Sequence, residues 1–134
     1  MAIPSDAETR QRTPYDALGG EAGLQRLVDA FYDAMDLDPQ SSLRRMHAHD
    51  LGPMRARLTD WLVGWTGGPP VYFERHPGRG CIMSAHAPYA IGPAEAQAWM
   101  ACMRKAFDDV GLEGEIRALL DTAFSRMCEG FSRN

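Results

Sequence analysis

Residues 84–92 read Ser-Ala-His-Ala-Pro-Tyr-Ala-Ile-Gly. The stretch is small and apolar except for one imidazole, His86, with a proline two residues on. An imidazole in apolar surroundings costs free energy unless its ring finds a partner. Three readings compete from residue type alone: a core histidine bonded to a carbonyl, an exposed side chain with no role, or a ligand to a metal or cofactor.

Outward from His86, residues 67–92 are broken up by Gly67, Gly68, Pro69, Pro70, Pro77, Gly78, Gly80, Pro88 and Gly92. Such punctuation leaves little room for regular structure, and only "PVYF" at 70–73 has the composition of a strand. A connection this long inside a compact domain is unusual and often functional.

On both sides of it the apolar residues recur at helical spacing. The first stripe is Leu24, Leu27, Val28, Phe31, Tyr32 and Met35, introduced by Gly19-Gly20 and ended by Asp38-Pro39. A short helix is expected at Ser41–Met46. The second stripe is Leu51, Met54, Leu58, Trp61, Leu62 and Trp65, with Pro53 suited to a first turn. The third, after Gly92-Pro93, is Trp99, Cys102, Met103, Ala106, Phe107 and Val110, stopped by Gly111. The fourth is Ile116, Leu119, Leu120, Ala123, Phe124, Met127 and Phe131. The expectation is an all-α domain of four main helices over residues 14–134, preceded by a flexible polar tail at 1–13 that lacks a signal-peptide apolar region.

Composition narrows the function. With 134 residues, 45% of them hydrophobic and 24% charged, the chain suits one globular domain with one core. A net charge of −4 gives no footprint for nucleic acid. No apolar run is long enough to span a bilayer. Three cysteines, Cys81, Cys102 and Cys128, with no CxxC pairing, fit reduced thiols and a cytoplasmic setting.

The other histidines, His47, His49 and His76, complete no zinc set with the scattered cysteines. "GRG" at 78–80 is too short for a phosphate loop, and no catalytic triad is assignable from residue order. One histidine without companions suits an iron whose remaining ligands come from a porphyrin. Tyr32 and Trp99 lie on otherwise apolar faces, and each needs a partner for its O–H or N–H if buried. Singly, each reads as a core aromatic. With His47 they make three candidate donors for one pocket. Trp61 and Trp65 read as packing residues.

The pieces "YDALGG" (15–20), "LVDAFYDAM" (27–35), "LRRMH" (43–47), "WTGGPPVYFERH" (65–76), "HAPYAIG" (86–92) and "AWMACM" (98–103) follow one another as they do in the group II truncated haemoglobins, which this chain resembles from about residue 14 to 110. The resemblance implies a shortened globin, its helices packed two over two around haem b. It makes His86 the proximal iron ligand, its other ring nitrogen bonded to a carbonyl or water. Tyr32, His47 and Trp99 would face a distal ligand. Phe31, Met54, Leu58, Trp61, Leu62, Arg79, Met83, Tyr89 and Ile91 would surround the cofactor. Two departures stand out. Met83 and Ala85 occupy positions where the family often has basic residues for the haem propionates, which leaves Arg79 or Arg75 for that work. Met54 is bulkier than the usual distal residue.

The implied function is binding of O2, NO or CO with slow O2 release. NO detoxification or peroxide turnover with an unidentified reductase would follow from it. The alternative is O2 storage, delivery or sensing without turnover. The oligomer would be a monomer or homodimer.

Overall fold

The computed structural model describes residues 13–78 and 91–132, with the side chains at 131 and 132 excepted. The expected tail up to residue 12 lies outside the described residues, and so do His86, Arg79, Met83, Tyr89 and the Phe131 side chain. Every regular element among the described residues is helical. They are α1 (Pro14–Ala17), α2 (Gly20–Met35), α3 (Ser42–Arg45), α4 (Gly52–Trp65), α5 (Tyr72–Arg75), α6 (Pro93–Asp109) and α7 (Gly114–Ser132).

The long helix α2 is the centre of the molecule. Leu24, Leu27, Val28, Phe31, Tyr32 and Met35 repeat at three and four residues and are all buried. Burying each large apolar side chain contributes about 1.5–3 kcal/mol. This stripe packs against α6 on one side and α4 on the other, and α6 packs in turn on α7. The result is two helix pairs, α2 with α4 and α6 with α7, joined where α2 meets α6: the expected two-over-two arrangement. Phe31 is fully buried at that junction, where truncation to Ala would cost about 3–5 kcal/mol.

Local chemistry sets the boundaries. Thr13 caps α1 by accepting from Asp16 N at 3.2 Å, while Thr13 N donates to the Asp16 carboxylate, a reciprocal capping box. The "TGGPP" run closes α4. Thr66 Oγ1 donates to Leu62 O at 2.6 Å, and Gly67 takes a φ of +104°. Gly68 turns against Tyr15 so closely that a Cβ there would stand 2.7 Å from the Tyr15 ring. That contact and the Tyr15 N to Thr66 O bond of 2.9 Å seat α1 on the end of α4.

Three details differ from the sequence expectation. "PVYF" forms no strand. Pro70 is followed by the turn α5, with the Tyr72 ring buried and Tyr72 O accepting from His76 N at 2.9 Å. The buried face of α6 is Met100, Met103, Ala106 and Phe107, so Trp99 and Cys102 sit at its edge and Val110 is exposed. On α7, Leu119 is exposed and Cys128 is buried. α4 shows why a single stripe was misleading: Leu62 and Val63 enter the core, while Met54, Leu58 and Trp61 turn to a cavity.

Candidate haem pocket

A cavity of about 360 Å³ opens between α4, α6, α7 and the α3 segment. Its wall is mainly apolar: Leu43, Met46, Met54, Leu58, Trp61, Ile91, Ala96, Phe124 and Met127. Polar side chains reach it from Tyr32, His47, Arg57, Tyr72, Glu95 and Trp99, and Ala48 and Cys128 complete the lining.

Tyr32 and Trp99 are placed by one ring. Phe31 lies 4.9 Å from the Tyr32 ring and 4.9 Å from the Trp99 ring, edge-on to the first and tilted to the second. Phe31 and Leu62 were expected to surround the cofactor, but neither lines the cavity. Both are core residues, and Phe31 instead fixes the angle between two donors. Arg55 stands 5.7 Å over the Tyr32 ring and ties α4 to α2 through Asp29 and Asp33, at 3.1 and 2.9 Å. Burial pushes the Tyr32 phenol up to about 12, against the opposing pull of Arg57 and Arg55. It is therefore a neutral O–H donor at physiological pH.

His47 is held by the short segment around it. Ser41 Oγ caps α3 by accepting from Arg44 N. The Arg44 guanidinium bonds Asp36 at 2.7 Å and the carbonyls of Ala48 and His49 at 2.9 Å each. This pins the chain just past His47. The His47 ring sits 6.0 Å from that of Tyr32, edge to face. Its Nδ1 lies 2.8 Å from Leu43 O. A carbonyl only accepts, so Nδ1 carries the proton and donates it to Leu43 O. The expected trio, Tyr32, His47 and Trp99, thus meets at one cavity. Ser42 Oγ to Glu95 Oε2, at 2.8 Å, joins α3 to the start of α6 on the cavity rim, and the Gly92 N–H and the Ser42 hydroxyl hold the Glu95 carboxyl below its ordinary range.

Of the expected cofactor-facing residues, Met54, Leu58, Trp61 and Ile91 line the cavity. Arg75 does not. It bonds Glu21 at 2.9 Å and Asp60 at 2.8 Å, outside the cavity lining. Arg57 is the cation at the cavity, and the sequence reading passed it over. Its Nε is buried without a hydrogen-bond partner, and its Nη1 has only a weak 3.5 Å contact with Met54 Sδ. The signal was present: Arg57 falls at helical spacing between Met54 and Trp61, one charge within an apolar stripe. Phe124, Met127 and Cys128 were also missed as cavity residues. Burial pushes the Cys128 thiol up to about 11, so it is a neutral lining group rather than a thiolate.

An apolar slot, a half-buried cation whose Nε–H has no partner among the described residues and two neutral donors suit a flat, mainly apolar group that carries carboxylates and binds a small polar ligand. Haem is such a group, and a haem-binding globin is the class of protein that this fold and pocket define. Residues 13–129 match the bacterial-like globin family, and the chain belongs to that family. It is 40% identical over 107 residues to a group 2 truncated haemoglobin of Bacillus subtilis, covering 80% of this chain and 78% of that one. Among solved structures, the group II truncated haemoglobin of Bacillus anthracis aligns with a TM-score of 0.80 at 32% identity, over 89% of this chain and 94% of that one. A truncated, oxygen-avid haemoglobin of Bacillus subtilis aligns at 0.78 and 34%, over 90% and 98%. The group II 2-on-2 haemoglobin of Agrobacterium tumefaciens aligns at 0.81 and 32%, over 96% and 97%. Haem-based oxygen binding follows from membership of the family. Among the described residues, no helix is long and apolar enough to cross a membrane.

Proposed function

We propose that this chain is a cytoplasmic haem b protein that holds O2 tightly, with His86 as the iron ligand, and passes it to NO or turns over peroxide when a reductase supplies electrons. Haem supplies the open coordination position at which a diatomic gas binds. The chain supplies the rest. The observation that carries the reading is the convergence of Tyr32 and Trp99 on one apolar cavity with the Arg57 cation in its wall.

The Trp99 indole N–H is donor-only, and the Tyr32 O–H stays protonated. Both can donate to the outer atom of a polar diatomic ligand, inside walls that exclude water. A hydrogen bond to a charged acceptor contributes about 1.5–3 kcal/mol, and such gains appear mainly as slower release. Slow release disfavours bulk transport and favours reaction of the held ligand. His47, which lines the cavity beside Tyr32, would relay a proton during cleavage of a peroxide. Arg57 Nε and Nη are placed to bond a propionate. The oxygen avidity named for the Bacillus subtilis structure agrees with this reading.

The test is the visible spectrum of the haem-loaded protein with and without CO, then ligand kinetics. The expected result is a Soret band that shifts on CO binding and is lost in His86→Ala. In Trp99→Phe the band persists and O2 leaves roughly ten- to a hundredfold faster, the equivalent of one such hydrogen bond. An unchanged off-rate removes Trp99 from the mechanism. Retention of a normal spectrum in His86→Ala overturns the ligand assignment. Sustained NO consumption with a reductase present separates turnover from storage.

A further inference from the structure

One aromatic group is left outside the ligand-binding account. Trp65 closes α4, and 39% of its surface is exposed, although it is among the largest apolar side chains in the protein. It is not a stray surface residue. Its indole lies between two rings of the cavity wall, with centroids 5.4 Å from Trp61 at an interplanar angle of 18° and 5.4 Å from Phe124 at 20°. Trp61 and Phe124 both line the cavity. Phe124 also meets Trp99, centroid to centroid, at 5.4 Å. The i to i+4 spacing on α4 makes the Trp61–Trp65 stack a property of one rigid helix. Two oxidisable indoles therefore run in series from the pocket to solvent, with a phenyl ring bracing the outer one.

We propose that Trp65 is the exit for oxidising equivalents formed in the pocket, a surface site at which phenolic donors too bulky for the cavity are oxidised one electron at a time. The proposal rests on the haem reading and on hydrogen peroxide as the oxidant. Hydrogen peroxide takes up two electrons and two protons in the pocket and leaves as two waters. Each electron comes through Trp61 from Trp65. Trp65 releases its indole proton to water and becomes a neutral radical. A phenol stacked on the exposed indole then returns one electron and one proton to it and departs as a phenoxyl radical. Two such cycles balance one peroxide. Tyr32 is a poorer exit: an oxidised phenol must hand its proton to an acceptor, and the Tyr32 side chain, 3% exposed, meets neither bulk water nor a bulky donor. Trp65 meets water directly.

The experiment treats the ferric, haem-loaded full chain with hydrogen peroxide and a nitroso spin trap, maps adducts by peptide mass spectrometry, and assays oxidation of a bulky phenol. The wild type is expected to carry an adduct on Trp65. In Trp65→Phe, which keeps a ring in the stack, that adduct vanishes, labelling moves inward to Trp61, and phenol oxidation falls by about an order of magnitude. The CO-bound spectrum stays unchanged. Trp65→Tyr restores both the label and the oxidation, which a packing role does not predict. An unlabelled Trp65 overturns the relay, as does undiminished phenol oxidation in a folded Trp65→Phe, and in either case a CO-sensitive Soret band leaves the haem reading standing. A CO-binding protein indifferent to peroxide also overturns the relay alone. Absence of any CO-sensitive band defeats both.

Discussion

Helix α4 carries two charged side chains three residues apart, Asp60 buried and Arg57 half-buried, and treats them in opposite ways. Asp60, 7% exposed, accepts from His76 Nε2 and Arg75 Nη1, each at 2.8 Å, and Arg75 continues to Glu21 on α2. Every contact there is internal, and the group fixes α5 and the start of the following segment against α4. Arg57, on the cavity side, keeps a buried Nε without a partner. A buried polar group with all partners present supports the fold. One without a partner costs stability and marks where the protein expects something else. The contrast separates the structural side of α4 from its binding side.

Tyr32, an uncharged polar group of the cavity wall, gives the largest effect. Its folded-state value of about 12 lies above the ordinary 10. Below pH 10 both states keep the proton and folding is unaffected. As pH rises from 10 towards 12 the unfolded chain ionises first, so stability falls, by about 3 kcal/mol over the full window. Tyr32→Phe should abolish this component in alkaline denaturation monitored by circular dichroism. Cys128, shifted in the same direction by its own burial, is common to both proteins and cancels in the comparison. Equal alkaline loss in the two proteins would show that Tyr32 ionises freely.

Asp60 gives the next effect, on the structural side. Asp60→Ala removes a buried acceptor from His76, whose side chain is itself only 16% exposed. A loss of about 2 kcal/mol is expected from that charge-assisted bond, read as a lowered urea midpoint. Ligand off-rates should hold, because none of this cluster lines the cavity. An off-rate that changed along with stability would break the division between the two sides.

The same division explains how much the sequence showed. The four long helices and the short turn before His47 follow from periodicity and glycine–proline punctuation, which are local, whereas the two-over-two class follows from the resemblance to the truncated haemoglobins. Tyr32 and Trp99 were legible as polar tips on apolar stripes. Phe31 and Leu62 pack in the core rather than line the cavity, because a stripe tells that a side chain is buried, not whether it meets core or cavity. That distinction needs the angle at which α2 crosses α6. Arg75 and Arg57 could not be ranked, since the partners of Arg75 are 15 and 54 residues away in the chain. His47 was legible as a pocket residue, but its proton position was not, because it depends on one carbonyl at Leu43. "PVYF" read as strand on composition, and it folds as a turn because it has no neighbouring strand among the described residues with which to pair.

Arg57 gives the smallest effect and the sharpest sign. Arg57→Met keeps most of the side-chain stem against Met54 and Leu58 and deletes the unpaired Nε. Relief of that unsatisfied group should raise the stability of the haem-free chain by about 1 kcal/mol, since a buried donor without a partner costs roughly 1–3 kcal/mol and the lost guanidinium packing offsets part of it. Haem-loaded protein should respond the other way, releasing haem faster to an apoglobin acceptor as a propionate loses its cation. Opposite signs for the two measurements mean that Arg57 is held at a cost for the cofactor, as the contrast with Asp60 requires. A fall in both would place Arg57 with Asp60 among the structural groups, and the propionates would then fall to Arg79 or another cation. A rise in stability with unchanged haem release would leave the buried Nε as strain without a binding role.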